Sequence, residues 1–172
     1  AIEPFANTRA RSPLQNLRPL DEAFPRMKME CDIAVIGSGF GGSLMAMIAQ
    51  RLGRSVVMLE KGRHPRFAIG ESSTPLANLL LEELARRYDL PSIAPLAKWG
   101  TWQKHYPEIA CGLKRGFTFY HHRWNEPWTA QTDRGNELLV AASPNETIAD
   151  THWYRPDFDH FLVREAQVLG VS

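Results

Sequence analysis

The sequence predicts an α/β fold: a Rossmann-like βαβ unit, incomplete, with an additional β-hairpin and helices. Three observations predict it. Two short, nearly all-apolar runs, "CDIAVIG" and "SVVMLEKG", fit parallel strands covered on both faces. Between them lies a helix-length segment that opens on a cluster of glycines. The chain then closes on "RPDFDHFLVREAQVLG", in which Phe158, Phe161, Leu162, Ala166 and Leu169 share one helical face.

The elements follow in order. "CDIAVIG" ends in Gly37 and hands over to "GSLMAMIAQRL", a helix from Gly42 to Leu52 with Gly53 just past its end. "SVVMLEKG" completes the unit at residues 31–62, whose strands should be parallel with a right-handed connection. "RFAIGESSTP" comes next and is rich in turn-forming residues. Pro75 fits the first turn of a helix over "PLANLLLEELARRYDL", with Ser73 or Thr74 as its cap. Pro91, Pro95 and Pro107 break up the following stretch, which holds Trp99, Trp102 and Tyr106. "LKRGFTFYHHRW" alternates Phe117 and Phe119 with Thr118 and Tyr120 and reads as one strand, with "ELLVAAS" as its partner. In the last helix Asp157 is the expected N-cap, with Arg155 ahead of it.

Composition bounds the function classes. The 172 residues suit roughly one domain, and 44% hydrophobic with 23% charged is ordinary globular composition. A net charge of +1 gives no electrostatic reason to expect a nucleic-acid or anionic-membrane partner. Cys31 and Cys111 form neither a metal knuckle nor a disulfide framework, which favours a reduced, cytoplasmic setting. No apolar run approaches the roughly 20 residues that span a bilayer, and the first thirty positions lack the apolar stretch of a secretory signal. Residues 1–28 are expected to be a flexible extension, with helical or docked structure around Leu17 to Phe24. Residues 29–172 are expected to be the folded part. The chain stops at "VLGVS", where a helix has ended and a strand would begin, so it reads as part of a longer protein or a truncated product.

"GSGFGG" places Gly37, Gly39 and Gly42 in G-x-G-x-x-G spacing, with Phe40 and Gly41 between them. The first glycine permits the tight turn, the second lets backbone approach a pyrophosphate, and the third lets helix and strand pack closely. The helix N-terminus then presents its positive dipole end to the phosphate. Glu60 ends the second strand, beside Lys61, where an acid accepts hydrogen bonds from an adenosine ribose and disfavours a 2′-phosphate. Strand, loop, helix and acid together specify a dinucleotide site, but they do not separate FAD from NAD. "RFAIGESSTP" reads as a loop ending in a helix cap or as backbone wrapped on a planar ligand, and both can hold at once. His121 and His122, as adjacent strand residues, would point to opposite faces and not chelate one ion, so no metal is expected. Trp99, Trp102, Trp124, Trp128 and Trp153 read as core packing or as the lining of an aromatic pocket.

In order, "GSGFGGS", "LEKG", "IGESSTP", "LKRGFTF" and "RPDFDHFL" resemble the N-terminal part of the flavin-dependent, tryptophan-type halogenases. These lie within the FAD monooxygenase and geranylgeranyl-reductase superfamily of GR2-type flavoproteins. The resemblance spans about Asp32 to the C-terminus and implies that residues 29–172 are the N-terminal part of an FAD-binding domain, with 91–150 contributing to a substrate-side subdomain. It implies FAD as cofactor, with Ile69, Gly70, Glu71, Ser72 and Ser73 strapping the flavin and Arg155 near it. It also implies that Lys114 relays hypohalous acid, made from reduced FAD, oxygen and halide, to a small-molecule substrate, for which an aromatic ring is one option. A separate flavin reductase would supply reduced FAD. Burial in an apolar channel would lower the pKa of such a lysine, whereas a lysine at a strand start is more commonly solvated. An FAD monooxygenase or geranylgeranyl-reductase-like enzyme, and a non-catalytic dinucleotide-binding fragment, remain the alternatives.

Overall fold

The computed structural model describes residues 29–141 and 143–172, of which Cys31–Ser172 form one compact unit. The extension expected at residues 1–28 lies outside the described residues.

Strand β1 (Ile33–Ile36) pairs in parallel with β2 (Val56–Leu59), in register from Ile33 opposite Val56 to Ile36 opposite Leu59. Helix α1 (Phe40–Arg51) crosses between them, and Gly37 turns the chain into it at a φ of 98°, in the left-handed region that favours glycine. A Cβ on Gly42 would collide with the Gly37 carbonyl oxygen, so the third glycine of the motif is needed for close helix–strand packing. The strands are covered less than expected: Val56 and Val57 are buried, whereas Ile36 and Leu59 are exposed. Ser172 donates to the Val56 carbonyl and accepts from Met58 N–H, the hydrogen-bond pattern of a third parallel neighbour to β2.

Helix α2 (Pro75–Arg87) opens as expected, with Pro75 in the first turn and the Thr74 hydroxyl accepting from Ala77 N–H at 3.1 Å. A 3-10 turn (Ala94–Ala97) and a short helix α3 (Trp99–His105) follow, where the prolines leave no periodic signal to read. The core gathers Met47, Leu90, Ile93, Leu96, Trp102, Phe158 and Leu162. Trp102 stacks on Phe158 at 5.4 Å and donates its indole N–H to the Ile109 carbonyl at 2.8 Å, so this tryptophan is core.

The aromatic-rich segment is two strands rather than one: β3 (Cys111–Lys114) and β4 (Gly116–Tyr120), divided at Arg115. β4 forms the expected antiparallel hairpin with β5 (Glu137–Ala141). β3 pairs instead with an unexpected strand, β6 (Asp150–Trp153). The last helix, α4 (Arg155–Val168), packs on α1. Two expectations are corrected here. Tyr154, not Asp157, occupies the cap position, because Pro156 suits the first turn and lets the helix begin earlier. Arg155 is therefore the first residue of the helix, and Asp157 lies in its first turn, where its carboxylate accepts from Ala110 N–H at 3.4 Å.

Candidate functional site

The Gly-rich loop, the residues after β2, the 69–74 strap and the start of α4 converge. The N-terminus of α1 carries no acidic residue in its first turn and no side-chain cap. Two guanidinium groups and one carboxylate face it: a Cβ on Gly39 would lie 3.7 Å from Nη2 of Arg66, 3.7 Å from Nη2 of Arg155 and 3.8 Å from Oδ2 of Asp159. The positive end of the helix dipole and the two guanidinium groups, each paired with a carboxylate, border this loop as a cradle. Arg66 is a site residue that the motifs do not mark, although it opens the strap segment and its charge is visible there.

Glu60 sits beside this cradle. Its Oε2 accepts from Ser38 N–H at 3.0 Å, the Ser38 hydroxyl at 2.9 Å and Arg66 Nη2 at 3.1 Å, and Oε1 accepts from Gly62 N–H at 3.0 Å. The backbone N–H of Ser38, then that of Gly62 and the Ser38 hydroxyl, hold the carboxyl at about 2, with Arg66 adding its charge. The Ser38 hydroxyl also lies 2.7 Å from His64 Nε2, and burial, followed by the Arg66 charge, lowers the His64 pKa. A cleft of about 460 Å³ opens here between Ile36, Leu59, Lys61 and Phe67. Lys61 itself is exposed and Gly41 has open space around it.

The strap is tied from below along its length. Arg155 Nη1 donates to the Ile69 carbonyl at 2.6 Å and to the Gly70 carbonyl at 3.2 Å. Trp153 N–H donates to the Glu71 carbonyl at 2.7 Å, and Ser72 bridges His152 in antiparallel fashion, so the strap runs alongside β6 on the side away from β3. Gly70 takes a φ of 94°, and a Cβ there would press within 3.3 Å of Arg155. Ile69, Glu71 and Ser72 are exposed or half-exposed at the surface, whereas Ser73 is buried, with its hydroxyl donating to the Thr151 carbonyl at 2.7 Å. Ser73 thus supports the strap from within, while its neighbours offer the outer surface. In the backbone "GESSTP" is a capped helix entry that continues an extended ledge held from below.

Arg155 is itself fixed by a two-point ion pair, Nε to Asp159 Oδ1 at 2.8 Å and Nη2 to Oδ2 at 2.9 Å. Asp159 is fully buried, and its spacing of four residues from Arg155 is a readable helical pair. Phe40 packs edge-on against Trp153 at 5.1 Å with the Arg155 guanidinium 5.4 Å from its ring centre.

Lys114 lies on the other side of β6 from the strap in strand order, yet its ammonium reaches the strap. Nζ donates to the Ser72 hydroxyl at 2.6 Å and to the Ser73 carbonyl, and stands 3.9 Å over the Phe117 ring. The residue is 6% exposed, so the solvated strand-start reading does not apply. Burial lowers its pKa, and the Asp150 carboxylate works in the opposite direction. His121 and His122 lie beyond β4 on the exposed surface, and among the described residues no cluster of three His, Cys, Asp or Glu could hold a metal ion. Among them, too, no helix is long and apolar enough to cross a membrane.

No family model matches the chain. It is 31% identical to the monodechloroaminopyrrolnitrin halogenase PrnC of Pseudomonas fluorescens over 140 residues, 81% of this chain and 24% of that protein. It is 46% identical to the flavin-dependent halogenase armH3 of Armillaria mellea over 151 residues, 85% of this chain and 24% of that protein. A crystal structure of halogenase PltM in complex with phloroglucinol and FAD superposes with a TM-score of 0.66 at 34% identity, covering 83% of this chain and 27% of that one. The chain thus spans about a quarter of the length of the curated relatives it matches.

Proposed function

We propose, for a chain related to the N-terminal portion of the flavin-dependent halogenases, that it holds FAD and contributes the relay lysine of a halogenating oxidoreductase. The observation that carries this reading is Lys114: a buried ammonium fixed by Ser72 and Ser73 to the underside of an extended ledge.

The residues present fit the cofactor. The Gly39 cradle, flanked by Arg66 and Arg155 at the positive end of α1, suits a pyrophosphate. Gly37, Phe40, Gly41 and Gly42 form the turn that brings backbone close to it, and Glu60 and Lys61 border the cleft that suits the adenosine ribose. Ile69, Gly70, Glu71 and Ser72 supply the surface on which a planar ring would lie, with Ser73 and Arg155 holding that surface from behind. When bound, reduced flavin would supply the two electrons that reduce oxygen to the peroxide level, and that oxidant would take two electrons from halide to give hypohalous acid. The chain's own part is to bind, to exclude water and to hold a proton at Lys114 Nζ, from which a hydrogen bond can orient the oxidant toward a small-molecule substrate. A separate reductase would supply the reduced flavin.

The test uses the intact protein with reduced FAD, oxygen and bromide. Brominated product is expected, and Lys114→Ala should abolish it while flavin oxidation continues. Halogenation at the native rate in that variant would remove Lys114 from the mechanism. Oxygen insertion without any dependence on halide would replace the halogenase reading by a monooxygenase.

A further inference from the structure

Lys114 shares its face of the sheet with other polar groups. The antiparallel register sets it opposite Asp150 and sets Gly112 opposite His152, while Ser72 bridges His152 from the strap. Because alternate strand residues share a face, Ser72, Lys114, Asp150 and His152 lie on one side, and Ser73, Thr151 and Trp153 on the other.

Asp150 is the unusual member. It is 5% exposed, and Asn78 of α2 donates its amide to Oδ1 at 2.7 Å. Oδ2 is closed off from solvent and has no hydrogen-bond partner among the described residues. A carboxylate buried in this way is costly unless a charge compensates it. Each charged or titratable group around it can be placed. Lys98, which lines the same cavity, is committed to Glu82 at 2.7 Å and 3.0 Å. Arg115 turns to the Ser143 and Pro144 carbonyls. Glu71 on the strap turns back to Gly70 N–H at 3.1 Å, and His152 is exposed. That leaves Lys114, its register partner, as the cation facing Asp150 among the described residues.

We propose that Asp150, fixed by Asn78, is the positioning residue for Lys114: the buried counter-charge that keeps it an ammonium and holds it against Ser72. Directly opposed residues of an antiparallel pair have Cβ atoms roughly 5 Å apart, close enough for charge to act without an ion-pair contact. Two opposing influences then set the amine. Burial beneath the strap and against the Phe117 ring strips it of water, while Asp150 restores the preference for the charged form. The Ser72 hydroxyl and Ser73 carbonyl take two of its three N–H bonds and fix its direction. The catalytic meaning of this arrangement rests on the relay reading of Lys114; the arrangement itself does not.

The experiment titrates Lys114 by NMR in the full chain, following its side-chain resonance, assigned by its loss in Lys114→Met. In Asp150→Asn, which keeps the shape and removes the charge, the midpoint should fall by about one pH unit or more. An unchanged midpoint in folded Asp150→Asn would overturn the proposal. If that variant does not fold, the native chain still decides: the Asp150 carboxyl-carbon resonance should move as Lys114 titrates, and an unmoved resonance would count against the proposal equally. Halogenation assayed separately keeps the two readings apart, since a Lys114→Ala variant with native halogenation would sink the relay and leave the titration result standing.

Discussion

Replacing Glu60 by Gln should weaken the fold at neutral pH and do so in a pH-dependent way. The carboxylate accepts four hydrogen bonds, from Ser38 N–H and hydroxyl, Gly62 N–H and Arg66. Its carboxyl is lowered from 4.5 to about 2. At about 1.4 kcal/mol per pH unit, that difference sets a ceiling of about 3 kcal/mol at neutral pH. Solvent reaches part of the site and screens it, so about 1–2 kcal/mol is the expected loss. The sign follows from linkage: a depressed carboxyl contributes fully above its unfolded value and loses that contribution as pH falls through the folded one. The stability gap between the native and Glu60→Gln chains should therefore be full above 4.5 and nearly gone at about 2. Urea unfolding of both chains at about pH 7, 4 and 3 measures it. Equal stabilities at neutral pH, or a gap that does not shrink on acidification, would refute the reasoning.

Two further sets of substitutions test the packing around the site. Gly42→Ala drives a methyl into the Gly37 carbonyl and should cost ~1–3 kcal/mol in urea unfolding, whereas Gly41→Ala, with open space around it, should be neutral or mildly stabilising. Arg155→Met strands the fully buried Asp159 carboxylate and frees the Ile69 and Gly70 carbonyls, for an expected loss of ~3–5 kcal/mol in thermal unfolding. Adding Asp159→Leu to that variant should recover a good part of the loss, because an apolar pair replaces an unpaired charge.

The βαβ unit is legible in the sequence because its signals are local: glycines at fixed offsets, two apolar runs and a helix between them. The capped entry into α2 is legible for the same reason, since Thr74 and Pro75 act within one turn. β6 is not, because "DTHW" has neither apolar alternation nor β-branched enrichment beyond Thr151; it is a strand because β3 and the strap pair with it from either side. The division between β3 and β4 at Arg115 is hidden, as the aromatic alternation runs on past it. Lys114 can be singled out, but its surroundings cannot: Ser72 and Ser73 stand more than forty positions away, and Asn78 reaches Asp150 across 72. Arg66 has visible charge but no visible partner, whereas the Arg155–Asp159 pair is readable from its spacing of four residues.

The strap's carbonyls are held at one end by Arg155 and at the other by Lys114. For anyone recasting this pocket, that makes residues 69–73, 114 and 155 a single unit of design. Substitutions sampled one at a time along the strap will be read through anchors tuned to the present backbone, and contacting positions do not combine additively. Libraries that vary ledge and anchors together should therefore reach combinations that stepwise selection would discard at its first round.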